Sequence, residues 1–446
     1  MPEGETFVTS VPGKAPSTNG QSKFRQIVAD SQPGWRRFIW IFWALLGPGV
    51  LAMLGDNDAG GVISYALTGA QFGLGIFLPL VLLLAPLTYT VQELSMRLSA
   101  VTQEGFAKLA WRRYGRFWGY YHITTLAFEN VLTLVTEFIG MTAGLVILGL
   151  PLALSTILCL LAVTAFVLFT GYWSKERLAL LMAGLNVTFL VVAAMTHPSF
   201  AALGKAFTTW NLPAGAARGG VLWFILALIG NAIAPWMIFF QGSGSIDKGV
   251  TSQELRFSRV DTAIGAVLQI SVAAGIIILG AALWRQVPNM SSAGPAGIIG
   301  ALDRVVGRLP AILFGIGLFN AGFLAAITVS LSSSWSIAEL FGWSKSLNDK
   351  ISDAPKFYGV YIGSLLLAAL ALLIPGLPLN SIALLAQIVG GVLMTPLLIF
   401  IVVLTSDRKL MGWHRTKGLG KVWAWLMVTV LVGLTLATLW QTLGGI

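Results

Sequence analysis

The sequence predicts an all-α integral membrane protein of eleven transmembrane helices, and three observations carry that expectation. Of 446 residues, 56% are apolar and only 10% are charged, against about 25% charged in an average soluble domain. Eleven runs approach the roughly 20 mostly apolar residues needed to cross the hydrocarbon of a bilayer. The basic residues alternate from one connecting segment to the next. With the N-terminus cytoplasmic, 23 of the 28 Lys and Arg fall in inner segments, and the outer ones hold only Lys205, Arg218, Arg285, Arg304 and Arg308. A missed span would scramble this positive-inside bias, so it supports both the count and the orientation.

The net charge of +10 is therefore a topology signal and not a nucleic-acid footprint. The expected surroundings are the lipid bilayer and small ions, with no nucleic acid and no obligate protein partner. A soluble enzyme, a disordered chain and a disulfide scaffold are excluded by the apolar fraction and by a single cysteine, Cys159, which reads as a small packed hydrophobe.

In chain order, residues 1–36 are polar and read as a disordered cytoplasmic tail, and 37–446 as the transmembrane domain. The spans are expected near 38–68, 74–97, 120–148, 151–172, 178–196, 221–244, 261–284, 309–339, 358–376, 381–405 and 422–443. Two five-helix halves, about 37–197 and 219–405, precede an eleventh helix, which leaves the C-terminus outside the cell's inner (plasma) membrane. The spans near 38–68 and 309–339 are long enough to be broken, tilted or extended beyond the bilayer.

The first span contains Gly55-Asp56-Asn57-Asp58-Ala59-Gly60-Gly61. Gly weakens a helix, and Asp and Asn compete for its backbone hydrogen bonds, so this stretch is expected to unwind. Unwound backbone at membrane depth survives only where it lines a protein-enclosed cavity. The sixth span contains Gly230-Asn231-Ala232-Ile233-Ala234-Pro235-Trp236-Met237, with Gln241 a turn further on. Its proline removes a backbone donor and frees a carbonyl one turn earlier, which a bound cation could satisfy. A proline kink alone is a weak signal, but spans one and six open the two halves. Interrupted helices in corresponding positions point to a transport site between inverted repeats. In the third span Glu129, Thr133, Thr136, Glu137 and Gly140 fall at offsets of 4, 7, 8 and 11 on one helix side. That stripe is either polar glue between helices or a proton or ion path.

Of the 18 acidic residues, six lie within spans or at their edges: Asp56, Asp58, Glu93, Glu129, Glu137 and Glu339. A charge at a helix centre costs at least about 2.5–3.5 kcal/mol in a membrane, so such residues mark internal functional sites. No Lys or Arg lies mid-span to pair with them, which makes a cation or proton site the natural expectation.

At these residues the chain resembles the Nramp family of divalent-metal transporters. Gly47-Pro48-Gly49 followed nine residues later by Asp58 matches the start of the family's first helix, and Asp58-Ala59-Gly60-Gly61 falls on its Asp-Pro-Gly-Asn motif. Gly69-Ala70-Gln71-Phe72-Gly73 falls on the following Gly-Ala-x-Phe/Tyr-Gly, and Ala234-Pro235-Trp236 on Met-Pro-His of the sixth helix. Thr136–Gly140, Leu255–Gly265 and Thr405–Gly412 resemble the family's third-helix acidic motif, its entry to the seventh helix and the loop after the tenth. The resemblance implies a LeuT-like fold: two inverted five-helix repeats with unwound helices 1 and 6, plus an eleventh helix, working by alternating access. It implies no cofactor, the divalent metal ion being the cargo.

The departures bear on which ion. The family's ligating Asp is kept as Asp58, but its Asn is Gly61, its Met is Ala234, the following His is Trp236 and a second His is Gln241. Sulfur selects softer transition ions, whereas oxygen-only shells suit Mg²⁺, Ca²⁺ and Mn²⁺. Gly61 and Ala234 are truncations that enlarge the site, Asp56 is an extra carboxylate, and Mg²⁺ favours a roomy site with retained waters. This combination resembles the magnesium-transporting branch, which also lacks the methionine. Asn57 adjoins Asp58 and Met237 lies one turn after Ala234, so a shifted register would restore amide and soft ligands; Gln387, on a family Gln of the tenth helix, is a further oxygen candidate.

Of the three histidines, His197 and His414 fall in loops and His122 near the inner end of span three. The family's proton relay thus loses its imidazole, leaving Asp58 and the Glu129/Glu137 stripe as carriers. The expected reading is uptake of Mg²⁺, and also Mn²⁺, down the membrane potential, with two alternatives open: a proton-coupled Mn²⁺/Fe²⁺ transporter, or a sodium-coupled organic-solute transporter of the same fold. Neither a His-Glu-x-x-His nor a Gly-x-Ser-x-Gly turn occurs, so enzyme chemistry has no visible residues.

Overall fold

The computed structural model describes residues 47–147, 149–169, 172–212, 220–284, 286, 294–347 and 349–442, and all regular structure among them is helical. The tail expected over 1–36 and the opening of the first span lie outside the described residues. The helices are α1 (Pro48–Gly55), α2 (Ala59–Phe72), α3 (Phe77–Thr102), α4 (Phe106–Tyr114), α5 (Arg116–Ile147), α6 (Leu152–Phe169), α7 (Tyr172–Leu185), α8 (Val187–Met195) and α9 (Phe200–Thr209) in the first half. The second half holds α10 (Val221–Ala232), α11 (Pro235–Lys248), α12 (Leu255–Ala281), α13 (Gly294–Val305), α14 (Arg308–Phe341), α15 (Pro355–Leu372), α16 (Leu379–Ser406) and the short α17 (Arg408–Met411), followed by α18 (Leu419–Thr442).

Among the described residues nine helical segments are long and apolar enough to cross a membrane, counting α7–α8 and α10–α11 as one each. The other two expected spans take different forms. The span near 151–172 is α6, whose apolar stretch Leu152–Leu168 is shorter. The span near 38–68 is divided into α1 and α2, its opening lying outside the described residues.

The packing repeats with the halves exchanged. α2 lies on α12 as α11 lies on α3; α5 runs along α16 as α14 runs along α7 and α8; α6 packs on α5 as α15 packs on α14. α5 and α14, third in their halves, pack on each other. The divided helices stand at the centre, their residues around the breaks almost wholly buried.

Small residues set how closely these helices approach, as is usual where lipid offers no hydrophobic drive for association. A Cβ on Gly280 of α12 would strike the Ala66 carbonyl of α2, and one on Gly69 would stand 2.6 Å from the Ala281 nitrogen. The two backbones therefore interlock. Ala raises intrinsic helix stability over Gly by about 1 kcal/mol, so Gly359→Ala, with nothing within 4 Å of the new methyl, is expected to leave thermal stability equal or higher. Gly280→Ala is expected to lower it by about 1–3 kcal/mol through overpacking. Melting of the two variants in detergent, with the order reversed, would refute the interlock.

Candidate metal-ion site at two broken helices

The first break occupies Asp56, Asn57 and Asp58. α1 ends at Gly55, and Asp58 adopts an extended conformation as N-cap of α2, its carboxylate accepting from the Gly61 N–H at 2.5 Å. Glu137 of α5 caps the same helix end, accepting from the Ala59 N–H at 2.8 Å. Carboxylates are favoured here because the first N–H groups of a helix lack partners and carry its positive end. The second break occupies Ile233 and Ala234, with Pro235 at the first position of α11, where its missing N–H costs nothing. The carbonyl ends of α1 and α10 and the amide ends of α2 and α11 meet at these two breaks.

A residue outside the expected set holds them together. Gln269 of α12 donates to the Asp56 carboxylate and, at 3.2 Å, to the Ala232 carbonyl, while its own carbonyl accepts from Asn57 Nδ2 at 3.1 Å. Thr88 of α3 also donates to the Ala232 carbonyl, at 3.1 Å. The Ala232 carbonyl is therefore satisfied by side chains; the carbonyl that Pro235 frees is that of Asn231, one residue earlier. A Gln in the apolar run Val267-Leu268-Gln269-Ile270 was the available signal for it. Asn186, between α7 and α8, was a second: it donates to the Leu54 carbonyl of α1 at 2.9 Å and accepts from Asn320 of α14 at 3.0 Å.

The third-span stripe is held by bonds to both the side chain and the main chain of Thr133. Thr133 donates to Glu129 at 2.9 Å, Thr136 to the Thr133 carbonyl at 2.7 Å and to Glu137 at 3.1 Å, and Glu137 reaches α2. Asp56, Asp58, Glu129 and Glu137 are each at most 2% exposed, and Asp58 lies within electrostatic range of the other three. Among the described residues, no Lys or Arg forms an ion pair with any of them. Asp56 Oδ1, Asn57 Oδ1 and Glu129 Oε2 have no hydrogen-bond donor among the described residues.

The other two intramembrane acids separate from this group. Glu93 pairs with Arg97 at 3.0 Å and Arg259 at 2.9 Å, and Glu339 with Lys345 at 3.0 Å. The expectation that all six lacked a basic partner is thus corrected: an i,i+4 arginine, Arg259 in the first turns of α12 and Lys345 beyond the end of α14 reach these two. Both pairs lie at the end of the bundle rich in basic residues.

The remaining candidates divide in the same way. Gln387 of α16 faces Asp58, and a Cβ on Gly60 would stand 2.7 Å from its Nε2. The room released at Gly61 is not empty: a Cβ there would strike the Asn231 side chain of α10. Ala234 is buried, with its backbone N–H turned to Asp56. Met237 is fully buried in the apolar core. Gln241 donates to Thr262 of α12 at 3.3 Å. Trp236 is fully buried with its Nε1 unpartnered; its ring stands edge-on to Phe240 at 6.1 Å, and Phe240 lies 5.5 Å from Trp335. His122 is enclosed by the rings of Phe106, Trp118, Tyr121 and Phe400.

Below this aromatic layer a cavity of about 50 Å³ runs between Thr328, beside Gly55, and Glu176. Glu176, which lines it, is paired at 2.6 Å with the almost wholly buried Lys248. Asp261 stands next to Lys248 and accepts from the Gly49 N–H at 2.8 Å and the Gly47 N–H at 3.3 Å. Among the described residues no three His, Cys, Asp or Glu side chains gather into a metal-binding group. The donors at the breaks are two carboxylates with amides and backbone carbonyls.

A sequence model of natural resistance-associated macrophage protein-like proteins matches residues 49–441. The divalent metal cation transporters MntH of Levilactobacillus brevis and Pediococcus pentosaceus are 24% and 25% identical, over 90% of this chain and 91% and 93% of theirs. These relatives are named as transporters and not as enzymes. The crystal structure of the Eremococcus coleocola manganese transporter, in complex with an aromatic bis-isothiourea substituted compound, superposes with a TM-score of 0.75 at 20% identity, covering 92% of this chain and 89% of that one. MhsT in complex with L-phenylalanine gives 0.55 at 16% identity, over 87% and 98%. These likenesses, with the exchange symmetry of the packing, give the chain the LeuT-like fold of inverted five-helix repeats. Both breaks fall where the family motifs fall, and the family match covers nearly all of the described bundle: the chain belongs to the natural resistance-associated macrophage protein-like (Nramp) family of multi-pass membrane proteins.

Proposed function

We propose that this chain carries divalent metal ions across the membrane by alternating access, with a hard-ion site that favours Mg²⁺ and also accepts Mn²⁺. The site is built on Asp58, Asp56 and Asn57, with Gln387 as a further oxygen ligand. The ion is cargo, and no cofactor takes part. In this reading the protein lies in the plasma membrane with its N-terminus cytoplasmic and its C-terminus outside. The relatives' names, as divalent metal and manganese transporters, supply the class.

One observation carries the hard-ion preference. The two breaks bring together carboxylate, amide and carbonyl oxygens, with Ala234 where a thioether would stand and Trp236 where an imidazole would. Oxygen-only shells suit Mg²⁺ and Mn²⁺, and Mg²⁺ takes one or two carboxylates while keeping several waters. The buried carboxylates have no cation of their own, so a divalent ion offsets their mutual repulsion. An inside-negative potential of 100 mV contributes about 4.6 kcal/mol to entry of a divalent ion, which removes the need for a coupled proton.

A second reading, proton-coupled Mn²⁺/Fe²⁺ transport, is favoured by the two buried carboxylates on one face of α5, Glu129 bonded to Thr133, and Glu137 bonded to Thr136 and reaching the start of α2. Proteoliposome uptake of Mg²⁺, Mn²⁺ and Ca²⁺ with an internal pH dye separates the two. The expected result is Mg²⁺ and Mn²⁺ entry that grows with inside-negative potential and leaves the internal pH unchanged. Mn²⁺ entry with Mg²⁺ excluded would sink the hard-ion reading, and acidification tracking uptake would sink the uncoupled one. Restoring the thioether with Ala234→Met is expected to shift preference toward Mn²⁺ in the same assay.

A further inference from the structure

Asn231 lies in the last turn of α10 and is 1% exposed, and neither its amide oxygen nor its amide nitrogen has a hydrogen-bond partner among the described residues. Leaving such a buried group unsatisfied forfeits the hydrogen bonds it would make to water, so an orphaned amide needs a reason. Its side chain is directed at Gly61: a Cβ built there would meet the amide oxygen, with the amide nitrogen at 2.6 Å and the amide carbon at 2.7 Å. Gly61 is also the residue whose N–H the Asp58 carboxylate accepts, which puts the orphaned amide one helical turn from the strongest candidate ligand. The Tyr65 hydroxyl faces Asn231 without meeting hydrogen-bond geometry.

We infer that Asn231 supplies an amide ligand to the ion from across the break, through an interlock in which Gly61 must lack a side chain for the amide to enter. The inference rests on the metal-transport reading of the same site and adds the residue that completes its shell. Asp58 belongs to α2 in the first half and Asn231 to α10 in the second. An ion held by both draws these two half-helices together, which an amide on α2 itself would not do. The vacancy at Gly61 therefore admits a ligand on the opposite half and does not simply enlarge the site.

The test combines calorimetric titration of Mn²⁺ and Mg²⁺ into the detergent-solubilised protein with thermal melting in the absence and presence of ion. Asn231→Ala is expected to weaken ion affinity by at least about tenfold, the lower end of what loss of a group supporting a metal site costs. Its ion-free melting point should stay equal or rise, because an unsatisfied buried amide has been removed, while the ion-induced rise in melting point is lost. Gly61→Asn should abolish binding by displacing Asn231, and the double variant Gly61→Asn/Asn231→Gly should recover about tenfold or more over Gly61→Asn, since the amide then occupies the same space from α2.

A lowered ion-free melting point with unchanged affinity in Asn231→Ala would make the amide structural and overturn the assignment. A double variant no better than Gly61→Asn would overturn the interlock. Asp58→Asn is the control for the underlying reading. Wild-type affinity in Asn231→Ala with binding lost in Asp58→Asn rejects the amide alone, and wild-type affinity in both rejects the site together with the amide.

Discussion

Asp58→Asn is expected to lower divalent-ion affinity and uptake by about 100-fold or more while leaving the bundle folded. The two parts of that expectation have separate causes. Asp58 holds α2 in register as its N-cap, accepting from Gly61 at 2.5 Å, and Asn caps a helix about as well as Asp. The substitution therefore removes charge and little else. Removing one partner of a buried charge pair costs about 3–5 kcal/mol, which corresponds to at least about two orders of magnitude in affinity. Asp58→Ala should lose the cap as well, by about 1 kcal/mol, and so melt below Asp58→Asn. Calorimetric titration and proteoliposome uptake read the first effect, and melting in detergent the second. Near-wild-type uptake by a folded Asp58→Asn protein would remove the basis of the proposed site.

The second large effect is expected at Lys248, the partner of Glu176 in the wall of the small cavity. Its ammonium is 1% exposed, bonded to Glu176 at 2.6 Å and adjacent to Asp261. Lys248→Met leaves Glu176 and Asp261 buried without the ammonium beside both of them, whereas Glu176→Gln leaves the ammonium with Asp261 still beside it. Lys248→Met is therefore expected to destabilise the protein by about 3–5 kcal/mol, and Glu176→Gln by clearly less. The double variant Lys248→Met/Glu176→Gln should regain part of the loss, because one of the orphaned charges is gone. Detergent melting of the three variants checks the order, and equal losses in the two single variants would refute the asymmetry.

Much of the site was legible because a membrane restricts where polar groups can stand. Asp56, Asn57 and Asp58 beside three glycines cannot continue a lipid-facing helix, so the first break follows from chain chemistry; the second was legible from Ala234-Pro235 only together with its corresponding place in the second half. The Glu129–Glu137 stripe was equally visible from helical spacing. What the sequence could not distinguish was which buried acids find partners. Glu93 has Arg97 one turn on, a pairing the spacing records, but Glu339 looks like Glu129 in one dimension, and only the fold brings Lys345 to it and Arg259 to Glu93. Gln269 and Asn186 are single amides in apolar runs, as consistent with glue as with function, until each meets a carboxylate or carbonyl at a break. Gly61 read as added space, and only the approach of α10 fills that space with Asn231.

By itself the sequence determined that the chain is a helical membrane protein with its basic residues sorted to one side, that helices one and six break, and that their acids are the ion-site candidates. These follow from local rules, namely the apolar length of a span, the cost of a charge at depth and the helix-breaking chemistry of Gly, Asp and Pro. Tertiary structure decided which carboxylates are left without a basic partner, that Gln269 ties the two breaks together, and that an amide of the second half enters the gap at Gly61. Those outcomes depend on residues far apart in the chain, brought together by the crossing of α2, α5, α10 and α12, and no periodicity along a single helix records such a crossing.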